Sequence, residues 1–217
     1  MESPIEVIKH EGLVVKIYQD TDAQGPEEGG DDNAFLVHYH RDFQQEHESV
    51  LVEDDLRGLY QGNVTDKTKE LKRKYHIFSV SAYIHSGVHL TLGNVGFDYD
   101  PGGWDTSHVG AVFCAKSEWK TVKKAEVYAE GLIESWNQYL SGDVYGFVVE
   151  GPDVENAGSG SDIDSCWGFY GLEYAKEEGL AIAKHFAEER RKKKQAKVKA
   201  MIKNHVPLQK RTEVAFK

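Results

Sequence analysis

The residues best suited to chemistry are a cysteine, several histidines and several aspartates that lie in separate segments of the chain. Cys166 stands between Asp164 and Trp167. A cysteine attacks substrates as a thiolate, which needs a histidine base within hydrogen-bond reach. The available bases are His85, His89 and His108. Because cysteine is among the most buried residue types, a Cys-Trp pair in a strand is also typical of core packing.

Two aspartates extend this candidate catalytic set. Asp105 follows Trp104, and Asp164 precedes Ser165. Carboxylates that converge can perform general acid–base chemistry, whereas each aspartate can instead cap a turn or hold an aromatic network. An enzymatic interpretation is therefore a hydrolase or nuclease with the catalytic candidates Cys166, His85, Asp105 and Asp164.

Metal binding is a second chemical interpretation. Residues 20–25 (DTDAQG) begin like a calcium loop, with oxygen ligands at alternate positions and Gly at the sixth. The twelfth residue is Asp31 where such loops carry Glu, so an exposed acidic loop is the alternative. Histidines from separate strands can also bind zinc, although none here has a recognised spacing. The metal candidates are His40, His85, Asp20 and Asp22, and the sequence requires no cofactor.

Charge divides the chain into an acidic body and a basic tail. The net charge is −10, but residues 188–217 hold 11 Lys and Arg against three acids. Residues 1–187 hold 15 bases against 33 acids. The boundary predicts an acidic domain over 1–187 and a basic helical tail over 188–217. The tail could contact nucleic acid, an acidic partner or the protein's own acidic body, within one chain or between chains. The candidate contacts are Arg190, Arg191, Lys192, Lys193 and Lys194, and a solvated helix face is the alternative.

An acidic stretch near the N-terminus offers a different mode of binding. Residues 20–55 contain twelve acids against Arg41 alone. Spaced carboxylates on one surface can imitate a phosphate backbone and occupy a nucleic-acid-binding protein. A solvated face that keeps the protein soluble is the other interpretation.

Composition limits the class of protein. A chain of 217 residues with 40% hydrophobic residues is sufficient for one domain with an appendage. No run approaches the roughly 18 apolar residues of a membrane span, and residues 1–12 do not resemble a secretion signal. With Cys114 and Cys166 as its two cysteines, the chain is expected in a reducing cytoplasm.

The elements that must position these residues follow from periodicity. Strands are predicted over 13–18, 34–40, 75–84, 88–92, 109–115, 143–149 and 163–170, with short helical pieces near 50–60 and 65–74. Longer helices are predicted over 117–140 and from 172 onward. Short links between strands favour an α+β fold, with a mainly antiparallel sheet, one central helix packed on it and a long C-terminal helix.

Three runs carry a family resemblance: Trp104-Asp105 followed by Val109-Gly110, then YLSGDVYGFV at 139–148, then DSCWGFYG at 164–171. The sequence resembles a widespread family of uncharacterised bacteriophage-encoded proteins over roughly residues 13–171. Two loops depart from the family pattern, the residues after Asp22 and the segment that carries His108. The runs make Trp104, His108, Trp167 and Tyr170 candidate binding residues.

The resemblance implies an accessory protein of a phage, acting in the cytoplasm of the host cell. Together with the charge division, it leads to the expectation of a protein that binds and modulates a host macromolecule. The role would be anti-defence or host takeover, as a nucleic-acid mimic or inhibitor, with no membrane partner. Self-association through tail and body, giving a homo-oligomer, is a further expectation.

Overall fold

The computed structural model describes residues 3–26, 33–38, 58, 65–93, 97–98, 100–152 and 160–204. Within these ranges lie eight strands and three helices. The strands are β1 (Glu6–His10), β2 (Leu13–Gln19), β3 (Ala34–His38), β4 (Tyr75–Ile84), β5 (Val88–Leu92), β6 (Thr106–Ala115), β7 (Val144–Pro152) and β8 (Gly160–Tyr170). The helices are α1 (Asp66–Lys74), α2 (Val122–Ser141) and α3 (Leu172–Lys203).

The chain forms two compact units, each built on one four-stranded sheet. The terminal unit comprises Met1–Thr21 and Val144–Lys217, and the central unit comprises Asp22–Asp143. The sheet of the terminal unit has the order β1-β2-β7-β8, and that of the central unit has the order β3-β6-β4-β5. Every pairing between neighbouring strands is antiparallel.

In the terminal unit, α3 packs on one face of the sheet. Its buried residues are small and recur every fourth position, at Ala175, Gly179, Ala183 and Ala187. They pack against Leu13, Val15, Ile17, Phe147 and Val149 of the sheet. A Cβ at Gly179 would lie 2.8 Å from Val15 Cγ1, so helix and sheet approach closely because this position has no side chain.

In the central unit, α2 covers one face of the sheet. Its buried residues Ala125, Ala129, Ile133 and Trp136 share a core with residues of β4, β5 and β6. The Thr121 side chain accepts a hydrogen bond from Lys124 N at the start of α2, and Gly142 ends the helix in the left-handed conformation at φ 73°. A second cluster on the same sheet contains Phe35, Val37, Ala111 and Phe113, with Leu71 of α1 packed against it.

The predicted α+β class is confirmed, as are the antiparallel pairing, the central helix and the long C-terminal helix. The strands divide into two sheets because β7 returns to pair with β2 instead of extending the central sheet. Helix α2 begins at Val122 and not at residue 117, because the Thr121 cap fixes its first turn. The piece predicted near 50–60 lies outside the described residues apart from Gly58, whereas α1 confirms the one at 65–74.

Strand β1 was not predicted. It pairs with β2 across a two-residue turn at Glu11 and Gly12, whose φ values of 45° and 79° are both left-handed. Such a turn matches the twist of an antiparallel pair, and glycine adopts it at little cost. The Glu-Gly dipeptide between two alternating segments was the available signal.

The predicted division at residues 187 and 188 falls inside α3, which continues without a break to Lys203. The charge division is therefore a change in composition along one helix. In the part of the chain that the structure describes, no helix combines the length and apolar character needed to cross a membrane.

Candidate functional site

The basic half of α3 is a densely charged part of the terminal unit. After Ala187 no residue up to Asn204 is buried, so the helix has left the core at this point. We call residues 188–204 the basic overhang. It carries eight exposed cations, Arg190, Arg191, Lys192, Lys193, Lys194, Lys197, Lys199 and Lys203. At about 1.5 Å per residue these charges span roughly 20 Å.

The overhang borders a groove of about 510 Å³. One wall is the helix and the other is the turn between β1 and β2, represented by Glu11. The residues lining the groove are Glu11, Ala187, Arg190, Arg191, Lys193, Lys194 and Lys197. Five cations against one carboxylate give the groove a strongly positive potential, which suits a polyanion.

Two acids neutralise part of the overhang within the helix itself. Lys192 Nζ lies 3.0 Å from Glu188 Oε1, and Lys193 Nζ lies 3.6 Å from Glu189 Oε2. The hydrogen bond from Lys192 lowers the pKa of Glu188, which stabilises the charged form of this carboxylate. Within the described residues, the other six cations of the overhang form no ion pair, so their charges are available to a ligand.

A second candidate region is the turn at 100–105 in the central unit. Asp100 is buried, and its carboxylate accepts hydrogen bonds from Trp104 N and Asp105 N, both at 3.0 Å, and from Thr106 Oγ1 at 2.7 Å. These bonds, led by that of Thr106, lower the pKa of Asp100. The turn holds Trp104 outward with 91% of its surface exposed.

The same turn brings two separately predicted catalytic candidates, His85 and Asp105, close together. His85 Nδ1 lies 3.3 Å from Asp105 Oδ2, and Ile84 N donates to Asp105 O at 2.8 Å, which ties the turn to the end of β4. In this arrangement the carboxylate orients the imidazole and leaves Nε2 as a potential base. Tyr83 lies beside it, with its ring centroid 6.3 Å from that of His85. The structure thus brings together two of the four catalytic candidates.

The other two catalytic candidates lie in the terminal unit. Cys166 is exposed on β8, and its Sγ is 4.0 Å from Trp167 O. Asp164 lies within β8, and its Oδ1 accepts a hydrogen bond from the backbone N–H of the next residue, Ser165, at 2.8 Å. Within the terminal unit, the described histidines are His10 and His185, and neither is among the bases considered for Cys166.

Trp167, a candidate binding residue, packs over Gly146. An added Cβ at Gly146 would overlap the indole of Trp167, whose ring centroid is 6.1 Å from that of Tyr18. Gly168, at φ 83°, donates from its N–H to Asp20 Oδ2 at 3.1 Å. Asp20, a metal candidate, therefore supports the conformation of the chain next to Trp167.

The remaining predicted site residues are spread over both units. His108 is partly buried on β6, and burial lowers its pKa. Tyr170 ends β8, Asp22 lies in the turn after β2, and His40 lies outside the described residues. Among the described residues, no group of three or more His, Cys, Asp or Glu side chains could hold a metal ion.

Two residues that the sequence did not single out prove important to these sites. Asp100 organises the turn that displays Trp104. The Asp-Pro-Gly-Gly sequence at 100–103 is typical of a turn but does not indicate this role. Glu11 lines the basic groove because the turn between β1 and β2 lies close to α3. No local sequence pattern indicates this long-range contact. Comparisons with protein-family models, with curated proteins and with solved structures gave no match to this chain.

Proposed function

We propose that this protein binds nucleic acid through the basic overhang of α3. The observation that carries the proposal is the row of eight exposed cations along roughly 20 Å of one continuous helix. A helix holds such charges at fixed spacing, and neutralising several phosphates at once releases counterions and favours binding.

The composition of the overhang favours nucleic acid over an acidic protein as the partner. Protein interfaces rely on large buried anchors, chiefly Trp, Tyr and Arg set among apolar residues. The apolar residues of 188–204 are Ala196, Val198, Ala200, Met201 and Ile202, and none of them is aromatic. The overhang thus offers charge without an apolar centre, as expected of a surface that contacts phosphates.

The charge of residues 1–187 determines which part of the surface a polyanion approaches. Residues 1–187 carry 33 acids against 15 bases and repel a polyanion, whereas the overhang attracts it. Nucleic acid therefore approaches the C-terminal half of α3 and avoids the rest of the surface. The acidic residues 27–32 and 39–55, considered above as a mimic of a phosphate backbone, lie outside the described residues.

The resemblance to bacteriophage-encoded proteins supports a biological setting for this proposal. The similar segments cover roughly residues 13–171 and stop before the overhang. We therefore propose an accessory protein that works in the cytoplasm of an infected bacterium, where its overhang engages nucleic acid. Through this contact it modulates a host process that depends on nucleic acid.

The experiment compares the full chain with a variant in which six cations of the overhang are replaced by Gln, namely Arg190, Arg191, Lys194, Lys197, Lys199 and Lys203. Binding of a fluorescent DNA is followed by anisotropy at low salt, with poly-glutamate as a competitor that represents an acidic protein surface. We expect the wild-type chain to bind DNA and the variant to bind at least about tenfold more weakly. Absence of binding to the DNA at low salt, or tighter binding to poly-glutamate, contradicts the proposal.

A further inference from the structure

The cations of the overhang are unevenly distributed around the helix. Each residue advances by about 100°, so Arg190, Lys194 and Lys197 lie within about 60° of one another. This stripe continues the line of Ala183 and Ala187, which packs on the sheet earlier in α3. Where the sheet ends, small apolar residues are thus replaced by cations on the same side of the helix.

The opposite side carries a matching set of charges. Lys192, Lys199 and Lys203 lie within about 40° of one another and roughly half a turn away from the first stripe. None of these three lines the groove, whereas Arg190, Lys194 and Lys197 all do. We call the two sets the groove side and the back side of the overhang.

The groove side has features of a site that an isolated helix lacks. The turn between β1 and β2 faces it through Glu11, so a bound chain meets walls on two sides. This turn is fixed by the pairing of β1 with β2. On the back side, Lys192 is already paired with Glu188, which reduces the attraction for an added anion.

The kind of nucleic acid follows from what the overhang lacks. Proteins that bind single strands combine a basic groove with aromatic side chains on which the bases stack. From Ala187 to Asn204 the chain contains no Phe, Tyr, Trp or His. Base-specific contacts in duplex DNA need an element of the protein that enters a groove of the nucleic acid. Arg190, Lys194 and Lys197 instead line a groove of the protein, where a protruding phosphate backbone can reach them.

We propose that the groove side of the overhang seats the phosphate backbone of a double-stranded nucleic acid and reads no base sequence. The inference rests on the proposed function and deepens it, because it names the form of nucleic acid and the side of the helix. Arg190, Lys194 and Lys197 contact consecutive phosphates, and Glu11 limits how deeply the backbone enters the groove.

The test uses two triple variants of the full chain that remove equal charge. The groove variant carries Arg190→Gln, Lys194→Gln and Lys197→Gln, and the back variant carries Lys192→Gln, Lys199→Gln and Lys203→Gln. Affinities are measured for two 20-base-pair DNA duplexes of unrelated sequence and for single-stranded oligo-dT of equal length. Circular dichroism checks that both variants keep the helical content of the wild-type chain.

We expect the groove variant to lose about tenfold or more in duplex affinity and the back variant less than about threefold. The two duplexes should bind alike, and oligo-dT more weakly than either. Equal losses in the two variants would overturn the assignment of the groove side. Preferential binding of oligo-dT, or of one duplex sequence, would overturn the duplex assignment while leaving nucleic-acid binding intact. Absence of binding to all three DNAs would overturn both proposals.

Discussion

Gly110 on β6 faces the backbone of β3 in the central unit. An added Cβ would overlap Val37 O and lie 2.9 Å from His38 Cα. Because these are backbone atoms of a paired strand, a rotamer change cannot relieve the overlap. The position therefore requires a glycine for the two strands to approach.

Alanine at this position should destabilise the protein. We expect Gly110→Ala to lower the free energy of unfolding by about 1–3 kcal/mol. The matched control is Gly131→Ala on α2, where an added Cβ meets nothing within 4 Å and helix propensity raises stability by up to about 1 kcal/mol. Urea denaturation of both variants measures the two changes, and the same sign in both would contradict this explanation.

The two cysteines should differ sharply in reactivity. Burial raises the pKa of Cys114 to about 11, so its thiolate is scarce at pH 8, whereas Cys166 is exposed. A thiol reagent should modify Cys166 rapidly in the folded protein and Cys114 only after unfolding in urea. Cys166→Ser should remove the rapid phase. Two rapid phases in the folded wild-type chain would show that the surroundings of Cys114 are open.

At the scale of elements, the turn at 100–105 depends on one ionised side chain. The folded-state pKa of Asp100 lies below the ordinary value of 3.8, because its carboxylate accepts hydrogen bonds from Thr106 and two backbone amides. A depressed folded-state pKa adds stability at pH values above the ordinary value, and this contribution is lost as the pH falls below it.

We therefore expect Asp100→Asn to lower the stability of the protein near pH 6. Since Asn does not ionise, the difference between wild type and variant should shrink as the pH falls from 5 to 3. Urea midpoints at pH 6 and at pH 3 give the comparison. A difference that stays constant over this range would mean that the charge of Asp100 does not support the turn.

The sequence predicted elements whose apolar pattern is strong and missed a short strand whose pattern is weak. The apolar periodicity of α2 and the β-branched run of β4 identified both elements, because each signal lies within a few consecutive residues. Strand β1 is short, with two charged residues among its five, and its place is set by pairing with β2. Its hairpin partner β2 has the stronger pattern, and the Glu-Gly dipeptide that joins them is the local signal of the turn.

The candidate site was predictable to a similar degree. The basic run from Arg190 to Lys194 was apparent, since a charge run lies in consecutive residues. Its division into groove and back sides depends on where α3 leaves the sheet, which is decided by the tertiary position of the turn at Glu11. Likewise, the proximity of His85 and Asp105 requires the loop after β4 to meet the turn at 100–105, residues that are 20 positions apart.

For the molecule as a whole, opposite charges are carried by different parts of one chain. The net charge of −10 would by itself argue against nucleic-acid binding, but the overhang concentrates positive charge at one end of α3. Attraction to a polyanion then depends on the local field and is strongly screened by salt. If the overhang binds nucleic acid as proposed, the binding should be strong at low salt and weak at high salt.

The most direct measurement of the central claim is the salt dependence of duplex DNA affinity for the wild-type chain. If the groove side neutralises at least three phosphates, the logarithm of the association constant should fall with the logarithm of salt concentration with a slope of about −3 or steeper. The groove variant should show a slope less steep by roughly 2 to 3. A slope near zero for the wild-type chain, or an unchanged slope in the groove variant, would contradict the account.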